Sequence, residues 1–263
     1  MRKFPSEIKR IVIKVSTQMI TDGVAEIYYD KIQKFVQEIS NLVKSGYEVI
    51  IVSSGAIGCG LAKLGLEERP KNSKELQAIA SVGQIYLVNN YQQEFEKHKI
   101  NVGQILLSAD DTKNSVRRTN VRNTLEVLLQ KGIIPIINEN DTVAIEELKY
   151  GDNDTLSALV SILLYVDLLI ILTDVEGLCD RNPKLHPDYS IISQVDVIDN
   201  TIERLVEDID EGITFGGMKS KINAVKKLST IGIPVIITSF NNSDVLNKIV
   251  NGYDIGTYFL IQK

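Results

Sequence analysis

Two Asn/Asp-rich turns, Asn138-Glu139-Asn140-Asp141 and Gly151-Asp152-Asn153-Asp154, carry the side chains in this sequence best suited to chemistry. Each offers amides and carboxylates at the end of a buried element, where a polar ligand can be held at a sheet edge. The first follows Ile133-Ile134-Pro135-Ile136-Ile137, an apolar run of strand length. The second opens Leu156-Ser157-Ala158-Leu159-Val160, which reads as a helix with Asn153 or Asp154 near its N-terminus. Asx residues also make plain turns and helix caps, and for either turn alone that reading carries equal weight. Lys14 is a second signal, because it interrupts Ile11-Val12-Ile13 and Val15, where a charge at a sheet's edge requires a partner. A third is Gly216-Gly217, a backbone able to approach an anion closely ahead of a helix start whose amides face it. A simple helix-start turn is the alternative there, as a solvated surface group is for Lys221 beside Lys226 and Lys227.

Other chemistries find little support. Gly212 to Ser220 falls one residue short of a P-loop, since Met218 stands where the lysine belongs, and no G-x-G-x-x-G fingerprint occurs. Ser53-Ser54-Gly55-Ala56 lacks the Gly-x-Ser-x-Gly context of a nucleophilic serine, and no histidine stands in a recognisable triad. It reads instead as a hydroxyl and close-set amides meeting a carboxylate at a helix start. The two cysteines, Cys59 and Cys179, make no disulfide framework, Cys179 has no neighbouring base, and the two histidines, His98 and His186, give no metal cluster.

The elements that must position these residues are legible as apolar runs between amphipathic segments. Arg10–Val15, Glu48–Val52, Val102–Leu107, Ile133–Ile137, Leu168–Leu172 and Ile233–Ile237 read as strands, and Tyr28–Lys44, Lys74–Lys97, Ser115–Lys131, Thr155–Tyr165 and Met218–Thr230 as helices. That alternation predicts an α/β three-layer sandwich: a mostly parallel central sheet covered by helices on both faces. Ligands of such sheets bind beyond the carboxyl ends of the strands, where Lys14, Ser54, Asn138 and Thr173 all fall. With 263 residues, 44% of them hydrophobic, the chain can bury a large core. Its longest apolar run, Ala158 to Leu172, is broken by Ser161 and Asp167 and falls short of the roughly 18 residues of a membrane span. No signal peptide is visible, so a cytoplasmic location is the default, and the net charge of −5 argues against broad nucleic-acid binding.

Read with the spacer between them, Ile137-Asn138-Glu139-Asn140-Asp141-Thr142-Val143 and Gly151-Asp152-Asn153-Asp154-Thr155-Leu156-Ser157-Ala158 resemble the glutamate 5-kinases of the amino acid kinase family. Further matches follow in the family's order: Ile13-Lys14-Val15, Ser53-Ser54-Gly55-Ala56-Ile57, Thr173-Asp174-Val175-Glu176-Gly177-Leu178 and Gly216-Gly217-Met218-Lys219-Ser220-Lys221. The resemblance covers essentially the whole chain and implies ATP-dependent phosphorylation of the glutamate γ-carboxylate, the first step of proline biosynthesis, with Mg²⁺ arriving on the nucleotide. It implies Lys14 and Lys221 facing the phosphates and Asp154 between them as organiser. It further implies Ser54, Gly55, Ala56, Asp141 and Asn153 around glutamate, with Asp141 on its amino group. Nucleotide would meet Lys14, Thr173, Asp174, Gly216, Gly217, Met218 and Lys221.

A single kinase domain over 1–263 is expected, with about 1–170 binding glutamate and about 171–263 binding nucleotide. With Ile261-Gln262-Lys263 following an expected final strand, the C-terminal RNA-binding-type domain of some members is not expected here. The resemblance also implies a homo-oligomer, and it leaves feedback inhibition by proline, known in long members of the family, open for this chain.

Several positions depart from the family. Ser16-Thr17-Gln18 replaces Gly-Ser-Ser after Lys14, Thr214-Phe215 replaces Gly-Thr before the glycine pair, and Cys179 and Asn182 stand where tyrosine and aspartate are usual. They motivate one alternative, a catalytically weak regulatory homologue that binds amino acids. The other is an acetylglutamate or carbamate kinase of the same fold, which should show altered Asn-Asp turns.

Overall fold

The computed structural model describes residues 1–22, 26–143, 153–183, 185–209, 217–241 and 243–259. Gly151, Asp152, Thr214, Phe215 and Gly216 lie outside them. In chain order the elements are β1 (Arg10–Val15), α1 (Thr17–Ile20), α2 (Tyr29–Lys44), β2 (Glu48–Ser53), α3 (Ala56–Leu64), α4 (Ser73–Glu96), β3 (Val102–Leu107), α5 (Ala109–Lys113) and α6 (Ser115–Gln130). There follow β4 (Ile134–Glu139), α7 (Asn153–Leu164), β5 (Leu168–Thr173), β6 (Gln194–Val195), α8 (Asn200–Ile209), α9 (Met218–Ser229), β7 (Val235–Ser239), α10 (Val245–Val250) and β8 (Thr257–Phe259).

The strands form one eight-stranded sheet in the order β3-β4-β2-β1-β5-β7-β8-β6, parallel throughout except for the β7–β8 pair. From β1 the chain builds toward β2, β4 and β3 on one side, and toward β5, β7 and β8 on the other. β1 therefore sits where the strand order reverses, and the crevice at such a switch point is where α/β sheets take their ligands.

Alternation along β1 sends Ile11, Ile13 and Val15 into one buried cluster with α2, α3, α4 and α10, and Val12 into the opposite cluster with α7 and α9. Lys14 shares the parity of Val12 and so leaves the sheet on the α7/α9 face. Burying the two apolar layers supplies the main stabilisation of this architecture.

Two proline-linked details shift the expected boundaries. β7 begins at Val235 rather than Ile233, because Pro234 has no N–H for a ladder and the Ile233 amide returns to the Leu228 carbonyl at the end of α9. β4 carries Pro135, and its pairing with β2 involves only the following residues, Ile51 with Ile136 and Val52 with Ile137. α8 was not among the expected helices; its Ile202, Leu205, Val206 and Ile209 follow helical spacing without forming an apolar run.

On the other face, α3 and α4 approach so closely that a Cβ on Gly83 would lie 1.8 Å from the Ala56 carbonyl oxygen. That contact fixes the start of α3. Gly55, its N-cap, adopts φ +109°, a conformation that favours glycine, and so turns the chain from β2 into the helix.

Candidate active site

Asp154, in the first turn of α7, is fully buried, and two lysines from different elements meet it. Lys14 Nζ from β1 lies 2.6 Å from Oδ1, and Lys221 Nζ from α9 lies 3.2 Å from Oδ2. Ser220 Oγ also donates to Oδ2 at 2.6 Å, and both Ser220 and Lys221 donate to the Gly217 carbonyl, at 2.9 and 3.3 Å. Lys14 and Lys221 are themselves buried. Burial pushes the Asp154 carboxyl upward, but the facing Lys14 and Lys221 ammoniums outweigh it and hold its pKa below the ordinary value. Two cations around one anion leave this buried cluster with a net positive charge, suited to a polyanion.

Beside this cluster lies a network of neutral amides. Asn153 Nδ2 stands 2.9 Å from Ser54 Oγ, 3.1 Å from the Ser53 carbonyl oxygen and 2.9 Å from Asn138 Oδ1. Asn138 Oδ1 accepts also from the Glu139 amide, and its Nδ2 donates to Gln84 Oε1 at 2.9 Å. The chain Gln84–Asn138–Asn153–Ser54 thereby ties α4, β4, α7 and the β2–α3 turn together. Ser53 Oγ, just below, shares a hydrogen bond of 3.0 Å with the buried Tyr91 hydroxyl.

Both groups open into one cavity of about 450 Å³. Its walls include Lys14, Lys221 and Thr173 near the charged cluster and Ser54, Gly55, Ala56 and Asn153 near the amide network, with the half-buried Asp141 and the exposed Asp174 also in the lining. Thr173 Oγ1 donates to Asp174 Oδ1 at 2.9 Å, which orients that carboxylate at the end of β5. The arrangement can hold a phosphate chain against the lysines while amide and hydroxyl groups hold a second polar molecule in line with it.

The amino acid kinase family profile matches residues 9–239. The chain belongs to the amino acid kinase family. It is similar to the glutamate 5-kinase of Clostridium tetani, 41% identical over 260 residues that cover 98% of this chain and 97% of the relative. Glutamate 5-kinase of Clostridium perfringens is 41% identical over 267 residues, covering 100% and 99%. That of Methylococcus capsulatus is 41% identical over 252 residues, covering 96% of this chain and 67% of the relative. Among solved structures, UMP kinase from Bacillus anthracis shares the fold at TM-score 0.66 and 16% identity, covering 98% of each chain. Isopentenyl phosphate kinase from T. acidophilum does so at TM-score 0.66 and 18% identity, covering 95% of this chain and 100% of the other.

In this amino acid kinase the residues expected from sequence at the site mostly converge. Lys14, Asp154 and Lys221 form the charged cluster, and Ser54, Gly55, Ala56, Asp141 and Asn153 line the same cavity. Gly217 caps α9 and supplies a carbonyl to Lys221, whereas Met218 is buried against the core and does not line the cavity. Gly216 is outside the described residues.

Ser16, in the place of the family's glycine, has φ −76° and ψ 161°, an extended backbone open to any residue. The departure thus carries no backbone strain, and among the described residues the buried Ser16 Oγ has no hydrogen-bond partner. Cys179 is buried, and burial pushes its thiol pKa up, as expected of an inert structural thiol. Two residues with a part in the site were missed from sequence. Ser220 was visible only as one position in the glycine-loop motif, and Gln84 lies inside a long helix with nothing local to mark it.

Proposed function

We propose that the chain transfers the γ-phosphoryl group of ATP to the γ-carboxylate of L-glutamate, making L-glutamyl 5-phosphate for proline biosynthesis. One observation carries this reading: the Lys14–Asp154–Lys221 cluster and the Asn/Asp cradle share a single cavity at the switch point of the sheet. The identity to glutamate 5-kinases along the whole chain supports glutamate over other acids.

Each role follows from its chemistry. Lys14 and Lys221 stabilise charge on the transferring phosphoryl group, and Asp154 keeps the two ammoniums at fixed positions without neutralising both. Ser54, the amides entering α3 and Asn153 hold the acceptor, and Asp141 faces its ammonium. A γ-carboxylate is already ionised at neutral pH, so no general base is required.

Among the described residues no three His, Cys, Asp or Glu side chains converge as a metal cage. Mg²⁺ would arrive carried on nucleotide phosphates and water, the usual mode for this ion in kinases. Bound there, it would supply charge neutralisation at the phosphate oxygens. On this reading residues up to about 170 form the glutamate-binding part and the remainder the nucleotide-binding part. No helix among the described residues is long and apolar enough to cross a membrane.

The test is trapping of the acyl phosphate with hydroxylamine during ATP turnover, with glutamate, N-acetylglutamate, aspartate and carbamate as competing acceptors. Glutamate should give the largest kcat/KM. Protein that binds ATP and glutamate but forms no hydroxamate would favour the regulatory homologue, and a preference for another acid would reassign the substrate.

A further inference from the structure

A second cavity, of about 280 Å³, lies beyond the carboxyl end of β7 and is lined by Glu176, Ile191, Ser193, Thr238, Ser239 and the turn Asp254-Ile255-Gly256. It adjoins the main one: Thr173, which lines the large cavity, is the ladder partner of Ser239, which lines the small one. A ligand with its phosphates at Lys14 and Lys221 would extend past Thr173 into this space. The lining combines two isoleucines with three hydroxyls and two carboxylates, chemistry suited to an apolar ring edged with hydrogen-bonding atoms and joined to a sugar.

What shapes this cavity comes from the other end of the sequence. The Arg2 guanidinium donates to the carbonyls of Ser193 at 2.8 Å, Ile255 at 2.5 Å and Gly256 at 2.6 Å, and to Asp254 Oδ1 at 2.6 Å. All four partners belong to residues of the cavity wall. The side chain is only 5% exposed and lies 5.6 Å from the centre of the Tyr258 ring, and the Arg2 amide is anchored 2.6 Å from the Gly252 carbonyl oxygen. One planar fork therefore joins two wall segments, the residue ahead of β6 and the turn into β8, and fixes their spacing.

We propose that Arg2 is a positioning residue for the nucleoside end of the ATP site, holding the walls of the second cavity at the separation that a purine nucleoside needs. The proposal rests on the reading of the chain as an ATP-dependent kinase. Arg2 does not touch the reacting atoms, so its removal affects the binding of base and ribose and leaves the phosphate cluster in place.

The experiment compares ATP with inorganic tripolyphosphate, which keeps the phosphates and lacks the nucleoside, on the full chain and its Arg2→Ala and Arg2→Lys variants. In Arg2→Ala the Kd for ATP should rise about tenfold through lost preorganisation. The tripolyphosphate inhibition constant, the KM for glutamate and kcat at saturating ATP should stay within about twofold. Arg2→Lys should recover part of the ATP affinity, because one ammonium cannot reach all four acceptors. ATP affinity unchanged in both variants would overturn the proposal, as would equal weakening of ATP and tripolyphosphate. Failure of the kinase reading shows up separately, as wild-type protein that does not bind ATP or forms no hydroxamate.

Discussion

The two ends of the main cavity are built on opposite principles. At the end proposed for phosphate, Asp154, Lys14 and Lys221 are full charges, all buried and held by one another. At the end proposed for the acceptor, Gln84, Asn138, Asn153 and Ser54 are neutral and linked by hydrogen bonds. Charge acts over distance and grows stronger in a dry site, so it suits a group whose charge redistributes during the reaction. Neutral donors and acceptors act only in register, and they recognise a shape. The contrast predicts that damage at the phosphate end appears in kcat and damage at the acceptor end in the KM for glutamate.

The largest effect should come from Asp154→Ala, which leaves two buried ammoniums facing each other: kcat should fall about 100-fold or more, with glutamate affinity changed far less. Lys221→Ala should behave alike. Near-wild-type turnover of the Asp154 variant would break the comparison at its charged end. Next, Asp141→Ala should raise the KM for glutamate at least about tenfold through loss of the counter-charge to its ammonium, while nucleotide affinity stays constant. Equal losses for both ligands would make Asp141 a fold residue only.

A smaller change is expected from Gln84→Leu, which leaves Asn138 Nδ2 without its acceptor. The KM for glutamate should rise several-fold, about 1 kcal/mol in binding, with kcat and the KM for ATP nearly unchanged. A matching loss in kcat would show that the amide chain also aligns the phosphate end.

The charged cluster also sets a pH dependence. The folded-state pKa of Asp154 lies below its ordinary value of 3.8, so its stabilising contribution is complete above that value and lost as pH falls through the lower, folded-state pKa. Acid denaturation should therefore be steeper below about pH 4 for wild type than for Asp154→Asn, and parallel curves would contradict the ion-pair geometry. The smallest effect belongs to Ser16→Gly, which should change kcat by less than about twofold because the extended backbone at Ser16 does not need glycine. A clear rise in turnover would show that serine withdraws the loop.

Much of this was legible in advance because it depends on local pattern. The strand runs, the parallel α/β class and the polar residues at the end of β4 and the start of α7 all follow from the apolar and Asx sequence around Ile134–Glu139 and Asn153–Leu164, where period and end-of-element chemistry act over a few residues. The pairing of Lys14 and Lys221 with Asp154 entered only through resemblance to a family, for nothing local joins positions so far apart.

What the sequence determined by itself was the set of elements and the types of residue at their ends. Tertiary structure decided which of those ends meet. The parity of Lys14 on β1, together with the packing of α7 against α9, brings three charges from three elements within hydrogen-bonding distance. The α3–α4 contact at Gly83 and the amide of Gln84 support the acceptor cradle from a helix with no local mark of function. Arg2 reads as an ordinary charged residue near a chain start, and only the fold carries it to the wall beside β8. The physical reason is the same in each case: ion pairs and hydrogen bonds form only at contact distance, and contact between residues far apart in sequence is set by the sheet order and the packing of helices on it.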